Sequence, residues 1–371
     1  MKPIHVLVVD DALVTRRMTC DALGADPAIV VTEATHGNVA LQRIADSTPD
    51  VVMFDVEMAD ADALEMLRQL RRASPKLPVI VSASPTEHGA ATTIDALLLG
   101  ASDFAIRPAN PGRVPLVQQQ LREDLSPKIK ALVPSAPAGT PAGPTLVHAT
   151  TPHVAPMPVT PMPPARAVKT APPADAIAVG ASTGGPNALA DLIPALPADL
   201  PAPVLIVQHL PAVFTRLLAE RLAARSQMPV IEATADLDVR AGRVYLAPGG
   251  FHMTLRREGE RIVIGLNQER AEHSRRPAVD VLFRSVSRVY GAGALGVVLT
   301  GGGQDGLHGA DHIVRQGGRV IAQDQSTSVV DILPGLVDRA GLADRVLPLQ
   351  LIADEIVRRT IGATVRRAVG D

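Results

Sequence analysis

Short apolar runs alternate with segments of helical periodicity along the first 125 positions of the chain. In chain order the pairs are IHVLVV with VTRRMTCDAL, IVVTEA with NVALQRIA, DVVMF with ALEMLRQLRR, LPVIVSA with AATTIDALLLG, and SDFAI with VPLVQQQLRE. A strand that is buried on both faces shows a continuous apolar run, and helical crossovers make neighbouring strands parallel. The pattern therefore predicts an α/β domain with five parallel strands and helices on both faces.

The chain after position 175 continues in the same style. The apolar runs AIAVG, VLIVQ, PVIEA, RVYLA, ALGVVLT and GRVIAQ predict further strands. Between them, the segment AVDVLFRSVSRVY spaces its apolar side chains by three and four residues, at Val279, Leu282, Phe283, Val286 and Val289. That spacing is typical of an amphipathic helix. We predict a second, doubly wound α/β domain here.

A proline-rich segment separates the two patterns. Of the 33 prolines, 12 lie within residues 134–174, in stretches such as PSAPAGTPAGPT and PMPVTPMPPA that have no helical or strand periodicity. Such a composition favours an extended, polyproline-like linker. The predicted organisation is a first domain over residues 1–125, a Pro/Ala-rich linker over residues 126–174 and a second domain over residues 175–365.

Composition narrows the function classes. With 46% apolar residues but only five Phe, two Tyr and no Trp, the cores must be built from aliphatic side chains, and stacking platforms for single-stranded nucleic acid are not expected. The formal charge of −2 gives no electrostatic footprint for nucleic acid or an anionic membrane. Cys20 is the only cysteine, and the N-terminus lacks the long apolar region of a signal peptide. We therefore expect a cytoplasmic protein without disulfides or membrane insertion.

Polar side chains follow the predicted strands of the first domain at the points where the apolar runs end. Asp10 and Asp11 follow the first run, Asp55 the third, Ser82 the fourth and Arg107 the fifth. The carboxyl ends of parallel strands meet at one edge of a sheet. Three carboxylates without a nearby cysteine or histidine form a hard oxygen site suited to Mg²⁺ and a phosphoryl group. An aspartate held there can act as a nucleophile and carry an acyl phosphate.

The motifs VLVVDD, VVMFDVEM, VIVSAS and DFAIRP resemble, in this order, the receiver domain of two-component response regulators. The resemblance implies a flavodoxin-like fold in which Asp10, Asp11 and Asp55 hold Mg²⁺ and Asp55 accepts a phosphoryl group from a histidine kinase. It also implies that Ser82 and Arg107 contact that phosphoryl group. The chain departs from the family in two places: Arg107 replaces a lysine, and MADADA lacks the usual Pro and Gly after the phosphorylation strand.

The same criterion, a polar residue at the end of a predicted strand, selects three residues of the second domain. Ser182 follows AIAVG, His209 follows VLIVQ, and Asp305 follows ALGVVLTGGGQ. Residues 180–184 have the G-x-S-x-G form of a sharp strand-to-helix turn that presents a serine hydroxyl. Serine needs a base with a pKa near 7, and an imidazole needs an acid that fixes its tautomer. We therefore predict a serine nucleophile, a histidine base and an aspartate that orients the base.

Spacing alone leaves other interpretations of these residues open. His252 and His308 compete with His209 as the base, and Asp305 is also suited to cap the helix that begins near residue 306. The G-x-S-x-G turn is also compatible with a phosphate-binding turn of a dinucleotide-dependent oxidoreductase. That interpretation expects an acidic residue at the end of the next strand, where this chain has His209. The order Ser, His, Asp also differs from that of α/β-hydrolases.

Six motifs resemble, in order, the catalytic domain of the bacterial chemotaxis protein-glutamate methylesterases, the CheB family: GASTGG, QHLPAVFTRLLAERL, YLAPGGFHMTL, RRPAVDVLFRSV, LTGGGQDGLHGA and AQDQSTSVV. The resemblance implies a triad of Ser182, His209 and Asp305, with Thr183 and the backbone of Gly302 near the oxyanion. It implies hydrolysis of glutamate γ-methyl esters on chemoreceptors with release of methanol, and deamidation of receptor glutamines. It implies no cofactor in this domain and a chemotaxis histidine kinase as phosphodonor.

The resemblance also implies regulation, in which the unphosphorylated receiver covers the active-site face and phosphorylation at Asp55 opens it. Three departures from the CheB pattern accompany the match. Gly302 replaces a methionine, Gly250 replaces an aspartate, and the run Asp331, Ile332, Leu333 replaces Gly and Met before a proline. The alternative function is a catalytically weak, CheB-like signalling adaptor that carries a receiver domain.

Overall fold

The computed structural model describes residues 2–58, 63–107, 114–133 and 172–361. These residues form two α/β units, each built on a parallel sheet, together with one antiparallel hairpin. Most of the predicted linker and part of the MADADA segment lie outside the described residues. No helix in the described ranges is long and apolar enough to cross a membrane.

The first unit confirms the predicted set of five parallel strands. They are β1 (Ile4–Val9), β2 (Ile29–Ala34), β3 (Val51–Asp55), β4 (Val79–Ala83) and β5 (Asp103–Ile106). The helices are α1 (Leu13–Gly24), α2 (Gly37–Asp46), α3 (Ala63–Ala73), α4 (Glu87–Leu98) and α5 (Val114–Leu132). The strand order β2-β1-β3-β4-β5 is that of flavodoxin-like folds, and it places the topological switch point between β1 and β3.

Helix α5 continues past the predicted end of the first domain at residue 125. Leu125 and Ile129 are fully buried and Leu132 is buried, because this part of the helix packs into the core beside α1. Pro127 lies inside the helix without ending it. Residues 126–132, which we assigned to the linker, therefore belong to the first unit.

The second unit is a seven-stranded sheet whose pairings are all parallel. Its strands are β6 (Ala176–Ala181), β7 (Val204–Gln208), β8 (Val230–Glu232), β9 (Val244–Leu246), β12 (Ala294–Val298), β13 (Arg319–Gln323) and β14 (Arg345–Leu347). A separate antiparallel hairpin consists of β10 (His252–Glu258) and β11 (Arg261–Asn267). The helices are α6 (Gly185–Leu192), α7 (Ala212–Ala223), α8 (Val279–Tyr290), α9 (Leu307–Arg315), α10 (Ile332–Arg339) and α11 (Leu349–Thr360), with a 3-10 turn at Gly291–Gly293.

The strand order of the second sheet is β14-β13-β12-β6-β7-β9-β8. The chain therefore begins the sheet at β6, builds outward on one side and then returns to build the other side from β12. The carboxyl ends of β6 and β12 lie at the point where this direction reverses, which is where ligands bind in open parallel sheets. The six strands predicted for this domain are present as β6, β7, β8, β9, β12 and β13.

The two units contact each other directly. The rings of Phe104 on β5 and Phe214 on α7 stack with centroids 5.0 Å apart. The Arg221 guanidinium on α7 forms two hydrogen bonds to the Asp95 carboxylate on α4, at 2.7 and 3.2 Å. Apolar side chains of α4, α6 and α7 belong to one continuous buried cluster. The first unit is thus packed against the second through α4 and β5.

We predict that the thiol of Cys20 on α1 is unreactive in the folded protein. Burial, followed by the nearby Glu33 carboxylate, raises the pKa of Cys20 to about 11. Only about one thiol in a thousand is then ionised at pH 8, whereas an ordinary cysteine is about one quarter ionised. Iodoacetamide at pH 8 should label the native protein at least about 100-fold more slowly than the urea-unfolded protein. Equal labelling rates in the two states would contradict the burial of this thiol.

Candidate active site

The turn that carries Ser182 joins the carboxyl end of β6 to α6, as the G-x-S-x-G pattern predicts. A Cβ atom at Gly180 would lie 2.4 Å from Cγ1 of Val279, so no larger residue fits there without displacing α8. Gly184 has a φ of 76°, which side chains rarely tolerate. The Ser182 N–H donates to the Thr300 carbonyl at 3.1 Å, which ties the turn to the segment after β12.

His209 and Asp305 meet above the carboxyl ends of β7 and β12. His209 Nε2 lies 2.7 Å from Asp305 Oδ2, and both side chains are buried. The two competing histidines have other partners: His252 Nε2 contacts the Arg270 carbonyl at 3.2 Å, and the His308 ring stacks on a neighbouring histidine. The geometry therefore pairs His209, and neither competitor, with the aspartate that sequence reasoning selected.

Asp305 is held by the first turn of α8 and does not cap α9. Its carboxylate accepts hydrogen bonds from the N–H groups of Val279 at 2.8 Å and Asp280 at 2.9 Å. Burial raises the pKa of this carboxyl, but the His209 contact and the two N–H donors outweigh burial and hold the pKa below its usual value. Asp305 is therefore ionised beside the imidazole, which is the state that stabilises an imidazolium.

Ser182 and His209 line one cavity of about 980 Å³ that lies between the two units. His209 Nδ1 is buried and has no hydrogen-bond partner among the described residues. Because Nε2 is engaged by Asp305, Nδ1 is the ring nitrogen left to accept a proton. Thr183 and Gly302, the residues predicted near an oxyanion, line the same cavity.

The glycine loop after β12 contains one of the departures from the CheB pattern and contacts another. A Cβ atom at Gly301 would lie 2.8 Å from the Ser182 Cβ, so glycine is needed there. A Cβ at Gly302 would meet nothing within 4 Å, so this position has room for the family's longer side chain. The N–H of Leu333 donates to the Gly301 carbonyl at 2.9 Å, and Ile332 lines the cavity. The run at 331–333 therefore anchors the loop and contributes an apolar wall.

Three polar residues near these sites were not selected from the sequence. Asp280 is fully buried beside Asp305, Gln208 donates from Nε2 to the Ser182 carbonyl at 2.9 Å, and Glu57 contacts Arg107 in the first unit. Asp280 lies in the first turn of a predicted amphipathic helix. The helix dipole favours an acidic residue there, so its presence in the sequence does not by itself indicate a functional role. Gln208 lies next to a selected residue, and Glu57 lies two positions from one. That proximity along the chain is the sequence signal that could have identified them.

The first unit gathers its carboxylates at the switch point between β1 and β3. Asp10, Asp11 and Asp55 each place a carboxylate oxygen within 4.8 Å of the others. Burial raises the pKa of Asp10, and burial raises the pKa of Asp55 to about 6. Raised pKa values mean that the ionised forms of these neighbouring carboxylates are disfavoured, and a shared cation stabilises the ionised forms. An all-oxygen donor set suits a hard divalent ion. The residues present therefore fit Mg²⁺.

Ser82 and Arg107 lie at the same edge of the sheet. Ser82 is buried and stands opposite Asp55 in the register of β3 and β4. The Arg107 guanidinium uses its planar fork to bridge two carboxylates, pairing one NH2 group with Asp55 and the other with Glu57. A lysine ammonium has no such fork, so the replacement of the family's lysine changes how the carboxylate pair is held.

The model of the CheB methylesterase family matches residues 177–356, and the model of the response regulator receiver domain matches residues 6–117. Over 360 residues the chain is 41% identical to a protein-glutamate methylesterase/protein-glutamine glutaminase of Trichodesmium erythraeum, covering 97% of this chain and 99% of that protein. The chain belongs to the CheB family.

A second full-length relative and one solved domain are also similar to this chain. A protein of the same name from a Nocardioides species is 44% identical over 368 residues, covering 97% of this chain and 96% of the relative. The crystal structure of the Thermotoga maritima CheB methylesterase catalytic domain is 39% identical, with a TM-score of 0.49, covering 50% of this chain and 98% of that chain. The two family models and the two full-length relatives confirm the predicted family, the hydrolase class and the receiver-plus-methylesterase fold class. Both full-length relatives are named as enzymes, so the adaptor alternative has no support.

Proposed function

We propose that this chain hydrolyses glutamate γ-methyl esters on methylated chemoreceptors, deamidates receptor glutamines, and does so under the control of receiver phosphorylation. The observation that carries the proposal is the 2.7 Å contact between His209 Nε2 and Asp305 Oδ2 in the cavity that also holds Ser182. The names of the full-length relatives support the substrate class. Release of methanol from a methylated receptor by the wild-type chain, and its loss in Ser182→Ala, test the proposal.

The first half of the reaction forms an acyl-enzyme. His209 Nδ1 takes the proton of the Ser182 hydroxyl while Oγ attacks the γ-carbonyl carbon of the ester. Asp305, which is ionised, stabilises the imidazolium that results. As the tetrahedral intermediate collapses, the bond from carbon to the methoxy oxygen breaks, and that oxygen takes the proton from His209 and leaves as methanol.

The second half returns the enzyme to its starting state. A water molecule gives a proton to His209 and attacks the acyl carbon, and the Ser182 oxygen leaves with the proton that His209 returns. The product is a glutamate carboxylate. Deamidation follows the same path with ammonia as the first leaving group. In both reactions Thr183 and the backbone N–H of Gly302 are the proposed donors to the oxyanion.

The contact between the units accounts for control by the receiver. The Thr183 hydroxyl donates to the Asp103 carboxylate at 2.6 Å, and the Gly184 N–H donates to the Ser102 carbonyl at 3.0 Å. The receiver thus occupies donors of the nucleophile turn itself, and Asp103 and Phe104 line the cavity over Ser182. We infer that this packed arrangement is the low-activity state, and that phosphorylation favours a state in which these contacts are broken.

Phosphorylation is assigned to Asp55. Asp10, Asp11 and Asp55 would hold Mg²⁺, which when bound neutralises charge on the incoming phosphoryl oxygens. Ser82 and Arg107 lie at the same edge of the sheet as Asp55, which supports their proposed contact with the phosphoryl group. A chemotaxis histidine kinase is the proposed donor.

The ion pair between α4 and α7 offers a charge-swap test of the inhibitory contact. Arg221→Glu places two carboxylates opposite each other at Asp95, which weakens the packed state. Because the pair is partly exposed, we expect methanol release without phosphodonor to rise by about fivefold, equivalent to about 1 kcal/mol. The double variant Arg221→Glu with Asp95→Arg restores opposite charges and should return the rate toward wild type. An unchanged basal rate in the single variant would contradict an inhibitory role for this interface.

A further inference from the structure

A tight turn over residues 272–275 stands at the edge of the active-site cavity. The Glu272 N–H donates to the Arg275 carbonyl at 3.2 Å, and the Arg275 N–H donates to the Glu272 carbonyl at 2.8 Å. The two residues between them, His273 and Ser274, have φ values of 51° and 60°. This is the form of a type I′ turn, in which glycine and asparagine are preferred at these positions. Neither residue is present here, so other contacts must hold the backbone in place.

Those contacts connect the turn to the triad. His273 Nε2 lies 3.0 Å from Asp280 Oδ2, and the His273 ring stacks on that of His308 with centroids 6.2 Å apart. Asp280 is fully buried, and its own N–H donates to the Asp305 carboxylate. The turn is therefore fixed relative to Asp305 through one intervening residue, so the backbone of Arg275 holds a defined position relative to the reacting groups.

Arg276, which follows the turn, is also fixed. Its guanidinium donates to the carbonyls of Gln268 and Glu269 at 2.9 and 3.0 Å. Before the turn, Glu272 pairs with Arg284 on α8. The segment is thus braced on both sides of residues 273 and 274. A strained turn that is held by contacts on both sides and lies beside a reactive site indicates a positioning role for its side chains.

Arg275 differs from the other charged side chains that line the cavity. Arg107 pairs with Asp55, Lys128 with Asp124, Asp103 accepts from Thr183, and Asp305 pairs with His209. The guanidinium of Arg275 has no hydrogen bond or ion pair within the described residues, although Arg275 lines the same cavity as Ser182. A cation on the cavity wall that has no pairing partner among the residues described by the structure is available to a ligand.

We propose that Arg275 is a specificity-determining residue that binds a carboxylate of the substrate protein next to the ester being hydrolysed. The inference rests on the proposed function, because each turnover leaves a glutamate carboxylate in the substrate. A segment with several modifiable glutamates is therefore anionic wherever it has already been demethylated. A guanidinium recognises such a carboxylate through paired, charge-assisted hydrogen bonds. The substrate class is an acidic peptide segment in which an esterified glutamate has ionised glutamates as neighbours.

Two matched peptides test the proposal on the full chain activated with Mg²⁺ and beryllofluoride. Each carries one γ-methyl glutamate, flanked in one peptide by glutamates and in the other by alanines, and methanol release is measured at several concentrations. Wild type should show a kcat/KM about tenfold higher for the acidic peptide, as expected for one charge-assisted hydrogen-bonded contact. The preference should lie in KM. Arg275→Gln should lower the ratio to near one, and Arg275→Lys should keep part of it.

Arg288→Gln is the matched control, because it removes the same charge from an exposed position of α8 away from the cavity. It should retain the wild-type preference. Equal use of both peptides by wild type, or a preference that survives in Arg275→Gln, would overturn the role of Arg275 while leaving the esterase in place. Methanol release from neither peptide by any variant would overturn the proposed function itself, and the inference with it.

Discussion

Ser182→Ala is expected to lower methanol release from methylated chemoreceptor by at least about 1,000-fold. The reason is that the variant has no oxygen to form the acyl-enzyme, and the pair of His209 and Asp305 then has no nucleophile to activate. The His209–Asp305 contact and the fold should be unaffected, because the Ser182 hydroxyl has no hydrogen-bond partner among the described residues. Initial rates of methanol formation by the full chain, with and without phosphodonor, measure the effect.

Ser326→Ala is the control for this variant, because Ser326 is an exposed serine of the same unit, outside the cavity. It should hydrolyse the ester at the wild-type rate. Deamidation of receptor glutamines should fall together with ester hydrolysis in Ser182→Ala, since both reactions use the same acyl-enzyme. Retention of either activity by this variant would remove Ser182 as the nucleophile.

Asp55→Ala is expected to abolish the increase in esterase rate that a small-molecule phosphodonor and Mg²⁺ produce in wild type. We expect that increase to be at least about tenfold, which requires a shift of about 1.4 kcal/mol between the packed and open arrangements. Asp55 supplies the carboxylate that is phosphorylated, and its removal also frees the Arg107 fork that now bridges Asp55 and Glu57. Methanol release is followed before and after addition of the donor.

Asp46→Ala provides the comparison, because Asp46 is an exposed carboxylate at the end of α2, away from the carboxylate cluster. Its response to the donor should match wild type. If Asp55→Ala is still activated by the donor, phosphorylation acts at another residue and the assignment of Asp55 is wrong.

Much of the fold could be predicted because strands that are buried on both faces leave continuous apolar runs. All of IHVLVV and all of IVVTEA lie in the strands expected of them, and AVDVLFRSVSRVY contains α8. The hairpin of β10 and β11 was missed although its signal is present. Its two segments together carry three arginines and one glutamate, which obscure the apolar pattern. They flank Gly259, whose φ of 62° suits a two-residue turn.

The triad could be predicted because parallel strands bring their carboxyl ends together whatever the distance along the chain. Ser182, His209 and Asp305 each follow a strand, and β6, β7 and β12 are neighbours in the sheet. Asp280 could not be selected in this way, since it lies inside a helix. Its importance depends on which residue the first turn of α8 approaches, and that is decided by packing.

The contact between the two units has no counterpart in the sequence pattern. The Asp103 carboxylate meets the Thr183 hydroxyl across 80 positions of chain, and neither residue belongs to a periodic feature that points to the other. The apolar residues of α4 and α7 at this contact also have the spacing of ordinary core positions. Surfaces that pack two folded units together therefore look, in one sequence, like parts of each unit's own core.

The most direct test of the account follows methanol release by the wild-type full chain from one methylated receptor preparation, first alone and then after addition of Mg²⁺ and a phosphodonor. We expect a slow release that rises at least about tenfold when the donor is added. Release that is the same before and after addition would contradict control by the receiver. An absence of methanol in both conditions would contradict the assignment of Ser182, His209 and Asp305 as a working esterase site.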